Sequence, residues 1–138
     1  MHCQLSALAE AANLSADGKI NILGEFDTLW ALGEPPVVHP SMVFVAKLKA
    51  GEADRGAHKI QLRVVDEDMK LVALLVDAQM QLQDSPIPGS EGGVPIIVPV
   101  TAASFPDFGT YEFQLLIDDD VKCRPQVHVR RRVPPPQA

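Results

Sequence analysis

With 138 residues, a net charge of −6 and a pI near 5.1, the chain has the commonest size of one domain, and its field repels nucleic-acid phosphates and anionic membranes. Hydrophobic residues at 46% and charged residues at 22% exclude disorder over most of the length. The 12 prolines and 9 glycines exclude long helices and favour short strands joined by turns.

Residues 4–12 carry both alanine and leucine, which favour helix, and an alternation that fits a strand. We read a strand with Cys3, Leu5 and Ala7 on one face and Gln4 and Ser6 on the other. Asp17-Gly18 then supplies the positive φ of a tight turn into Lys19 to Leu23, predicting a first hairpin. Trp30, the sole tryptophan, follows Phe26 and Leu29 and precedes the Gly33-Glu-Pro-Pro36 turn, and we expect it in the core.

Met42, Phe44, Ala46 and Leu48 alternate with Val43, Val45, Lys47 and Lys49, a strand apolar on both faces in its first half. Ile60, Leu62 and Val64 alternate with Lys59, Gln61 and Arg63 in a half-buried strand. The polar run Asp66 to Asp68 then predicts a hairpin into the apolar segment Leu71 to Val76. Asp84 to Gly93 reads as an exposed loop, and Val94 to Val100, broken by Pro95 and Pro99, as an edge strand.

Tyr111, Phe113, Leu115 and Ile117 face inward against Glu112 and Gln114. Val127, Val129 and Val133 alternate with Gln126, His128, Arg130 and Arg132 in a last strand. The organisation predicted is one domain over residues 1–133 with a proline-rich tail at 134–138. Seven or eight short strands without βαβ alternation predict an all-β fold, an antiparallel two-sheet sandwich, with a small β-barrel as the alternative.

The run from Phe105 through Asp107 and Gly109 to Tyr111 resembles the tyrosine corner of immunoglobulin-like sandwiches. The immunoglobulin cysteine pattern is missing, since Phe113 stands two residues after the tyrosine. Leu8-Ala-Glu10, Asp17-Gly-Lys19 and Asn21-Ile-Leu-Gly-Glu-Phe-Asp27 together look like an uncharacterised family of small bacterial and phage-associated β-sandwich proteins. That resemblance implies fold and carries no activity.

Cys3 and Cys123 are too few for a disulfide framework and are read as reduced thiols. No segment approaches about 18 consecutive apolar residues, and Met1 to Glu10 lack a basic stretch before an apolar run, so a cytoplasmic protein without a membrane span is expected. His2, His39, His58 and His128 lack zinc spacing, and no nucleophile elbow, phosphate loop or dinucleotide fingerprint is present. The chain therefore reads as a non-enzyme without a cofactor.

Three binding functions stay open. A protein-interaction module would use sandwich edges or loops, with Pro86, Pro88, Glu91, Arg130 and Arg132 as candidate contacts. A self-assembling or phage-like accessory protein would pair the same edges between identical subunits. A calcium or small-ligand domain would draw on Asp66, Asp68, Asp118 and Asp120 from two acidic turns at one end of the sandwich.

Overall fold

The computed structural model describes residues 1–83 and 89–133, so the expected contacts Pro86 and Pro88 and the 134–138 tail lie outside the described residues. The described chain forms β1 (His2–Leu14), β2 (Ile20–Phe26), β3 (Thr28–Ala31), β4 (Val37–Ala50), β5 (Gly56–Val65), β6 (Leu71–Leu82), β7 (Gly92–Phe105), β8 (Gly109–Ile117), β9 (Asp120–Cys123) and β10 (Gln126–Arg131). One 3-10 turn, Glu52–Asp54, is the sole helical element among the described residues. Among the described residues no helix is long and apolar enough to cross a membrane.

The protein is all-β, with two sheets. One has the order β2-β1-β4-β7 and the other β3-β10-β8-β5-β6, with β9 also paired to β8. Leu8, Met42, Phe44 and Leu48 from the first sheet join Leu62, Phe113, Leu115, Val127 and Val129 from the second in one buried cluster. The apolar face of each sheet is thus removed from water by the other, which is the main force holding the layers together.

Ten strands stand where seven or eight were expected, because two stretches of chain are interrupted. At Asp27 the chain leaves the first sheet and enters the second as β3, and around Arg124-Pro125 it breaks between β9 and β10, which both run along β8. Each interruption leaves a four-residue strand, too short to show a period of two in sequence. The expectation of a wholly antiparallel fold is also corrected, since β3 runs parallel to β10.

The face assigned to the first strand changes as well. Cys3 pairs with Leu48 and Leu5 with Lys47, so Gln4 is the extra residue of a bulge and the alternation inverts beyond it. Leu8 consequently faces the core opposite Phe44, whereas Ala9 joins Val43, Val45 and Ile97 in a second cluster on the outer face of that sheet. This second cluster explains why β4 is apolar on both sides.

Turn chemistry behaves as the sequence predicts. Gly18, at φ 83°, closes the β1–β2 hairpin with its N–H donating to Ser15 O at 3.0 Å. In the β5–β6 turn the Asp66 carboxylate accepts from the N–H groups of Asp68 and Lys70, each at 2.9 Å. Tyr111, 3% exposed, donates its hydroxyl to Asp107 O at 2.8 Å and accepts from Asp107 N at 3.1 Å, tying the β7–β8 loop to the head of β8. Gly109 sits at φ 147°, which L side chains rarely adopt, and a Cβ there would also displace the Glu67 carboxylate, 2.9 Å away, from the Thr110 N–H that it accepts.

Candidate functional site at the β3 edge

β3 is the terminal strand of its sheet, so one side of its backbone has no strand partner among the described residues. Leu29 and Ala31 point inward, at 7% and 8% exposure, strand alternation turns Trp30 outward, at 63%, and Leu32, in the bend just after β3, is 85% exposed. The expectation of a core Trp30 is therefore corrected. Leu29 and Ala31 fill the layer, and the largest side chain in the sequence is left on the surface. Their parity was the available signal, but β3 is too short for it to stand out.

Beside β3 lies an open groove of about 550 Å³, lined by Glu10, Trp30, Leu32, Glu34, Val38 and His39 among others. Val38 is itself 56% exposed, so three large apolar side chains share this surface. Such a grouping differs from singly scattered apolar residues, which need no explanation. The turn that returns the chain to β4, with a cis Pro35-Pro36 bond, forms one end of the groove. Glu34 pairs with Arg131, whose guanidinium also lies 5.4 Å from the centre of the Phe108 ring. His39 Nε2 is buried without a hydrogen-bond partner, with the Glu10 carboxylate 3.7 Å away.

The β3–β10 register sets Arg130 directly beside Trp30, and Arg132 N donates to Ala31 O at 2.8 Å one step further on. Arg130 and Trp30 thus sit side by side on the outer face of this sheet, with Arg132 and Leu32 just beyond the ends of their strands. Neither Arg130 nor Arg132 has a carboxylate partner among the described residues, in contrast to Arg131. Glu91, grouped with these arginines at the sequence level, sits elsewhere. It precedes the Gly92 end of β7, which pairs with Ala50, whereas the groove flanks the Val37 end of β4.

The other long edge is differently made. β7 is terminal in its sheet, as expected, and carries Pro95 and Pro99, whose missing N–H groups are tolerated on the open side of a strand and blunt it against pairing. β3 has no proline and presents an indole.

A profile for a family of unknown function, DUF6941, matches residues 4–130, from β1 through nearly all of β10. The chain belongs to that family. No curated protein matches it. Within this DUF6941 protein the matched span takes in the β1–β2 hairpin, the crossing at Asp27 and the whole β3 edge.

The acidic turns of the DUF6941 chain do not meet. β5 and β8 are antiparallel neighbours, so the turns that follow them, at Asp66 to Asp68 and at Asp118 to Asp120, lie at opposite ends of the sheet, about 24 Å apart at the usual rise per residue. A shared site for Asp66, Asp68, Asp118 and Asp120 is thereby corrected. Asp120 is 2.9 Å from Lys122 Nζ, and among the described residues no group of three or more His, Cys, Asp or Glu side chains is arranged to hold a metal.

Asp118 instead forms a clamp. One of its oxygens accepts the Lys59 N–H at 2.9 Å and the other lies 2.5 Å from His58 Nδ1, while His58 Nε2 lies 2.6 Å from Asp54 O. A carbonyl only accepts, so Nε2 carries a proton, and a second proton on Nδ1 satisfies the carboxylate. The hydrogen bond to Asp118, supported by that to Asp54 O, raises the His58 pKa above 6.5, and the same contact lowers that of Asp118. The role of this triad is to tie the β8–β9 turn to the 3-10 turn.

Cys3 and Cys123 form a disulfide, which corrects the expectation of two reduced thiols. β1 and β9 lie in different sheets, but Cys3 sits on the inward side of the bulge and faces Cys123 across the core with a Cα–Cα distance of 5.7 Å, within the range for a bridge. Sequence offers no way to see this proximity over a separation of 120 residues.

Proposed function

We propose that this DUF6941 chain is a non-enzymatic protein-interaction module of immunoglobulin-like sandwich architecture, which recruits another protein through its β3 edge. The architecture is supported by the Tyr111 corner at the head of β8 and by two sheets sharing one core. The observation that carries the function is the sole tryptophan, 63% exposed beside Leu32 on a strand with one unpaired side. Tryptophan is enriched among the residues that dominate binding energy, and an open strand edge offers a ready set of backbone donors and acceptors.

Site-specific photo-crosslinking tests this reading. A benzophenone side chain replacing Leu32 in the native cell is expected to give one discrete heavier adduct, and the same group replacing Pro99 on the blunted edge none. No adduct from position 32, or equal adducts from both, removes the β3 edge as the binding surface.

A further inference from the structure

We infer that the partner at the β3 edge is an extended acidic segment that adds as a strand beside β3, with its carboxylates against Arg130 and Arg132. This inference rests on the interaction reading above and specifies the chemistry of the partner. The chain as a whole is acidic, at −6, so a generic acidic partner is repelled; attraction has to be local.

The β3 corner is where the local sign reverses. Arg130 lies beside Trp30 in the ladder, Arg132 follows one step along, and both are exposed and unmatched by carboxylates among the described residues. Of the acidic side chains lining the groove, Glu34 is paired with Arg131, and Glu10 lies 3.7 Å from His39 Nε2. An incoming strand would lie two strand spacings from β10, about 9.6 Å, a gap that an extended arginine and a glutamate close between them over the indole face. Alternate apolar side chains of the same strand would turn to the opposite face, toward the groove wall that includes Val38.

The sole tryptophan makes its own reporter, since all indole fluorescence comes from Trp30. The full chain is titrated at low salt with three capped heptapeptides of alternating valine with glutamate, lysine or serine. The glutamate peptide is expected to shift Trp30 emission to the blue and to bind about tenfold more tightly than the lysine peptide, the preference shrinking at high salt. Arg130→Glu with Arg132→Glu is expected to invert that preference; both residues are exposed, and an unchanged far-ultraviolet spectrum verifies folding.

Equal binding of all three peptides overturns the acidic partner and leaves the edge reading standing. No binding of any peptide, with a positive crosslink from position 32, also overturns the acidic strand alone. A blue shift that grows with protein concentration in the absence of peptide assigns the edge to a second copy of the chain and overturns the inference too.

Discussion

Reducing the Cys3–Cys123 bond is the perturbation whose size follows most directly from the fold. The bond closes a loop of 120 residues, nearly the entire chain, and its effect falls on the unfolded ensemble. Loop-closure entropy for that length is about 16 cal/mol/K, or about 4.9 kcal/mol at room temperature, near the upper end of the range for natural bridges. For a protein of this size with a urea slope of about 2 kcal/mol/M, the unfolding midpoint should fall by about 2.4 M on reduction. The slope itself should rise, because the reduced chain expands further when it unfolds.

The assay compares oxidised wild type, reduced wild type and Cys3→Ala/Cys123→Ala by urea unfolding, with thiols counted under denaturing conditions. Alanine is preferable to serine because Cys123 is 2% exposed and a hydroxyl there would lack a partner. Two free thiols in the untreated protein would refute the bridge. No free thiols together with a midpoint shift below about 0.5 M would refute the entropy argument instead.

Three further outcomes follow from the geometry. Tyr111→Phe removes the hydroxyl that joins both backbone groups of Asp107 and should cost about 1–3 kcal/mol in chemical denaturation; an unchanged midpoint would mean the corner does not hold the β7–β8 loop. Phe44→Ala should cost about 3–5 kcal/mol and Trp30→Ala under about 1 kcal/mol, and similar losses would contradict the exposed placement of Trp30. The His58 clamp contributes stability that is fully present below pH 6.5 and is lost as pH rises through its raised folded pKa. The Asp118 contribution is present above pH 3.8 and is lost as pH falls through its lowered one. Melting temperature should therefore sag on the alkaline side in wild type, and His58→Gln should flatten that limb.

Family membership over residues 4–130 comes without a known activity, so the candidate site rests on local chemistry alone. Arg130 and Arg132 were identifiable as candidate contacts because a basic cluster in an acidic chain stands out in sequence. Their neighbours Trp30 and Leu32 were not, because exposure on a four-residue strand and in the bend after it depends on which face the other sheet covers. The edge position of β7 was readable from Pro95 and Pro99, since a missing N–H is a local property.

Period-two alternation determined β4, β5 and β8 from the amino acids themselves, and Asp17-Gly18 determined the first hairpin, because side-chain direction and turn conformation are short-range. The tertiary structure alone decided the rest. The bulge at Gln4 inverted the faces of β1, the crossing at Asp27 set β3 parallel to β10, and antiparallel pairing of β5 with β8 separated the two acidic turns. Cys3 met Cys123 only because two sheets, remote in sequence at that point, bury their apolar faces against each other. Each of these outcomes depends on contacts between distant segments, and residue order along a strand does not encode which distant segment arrives.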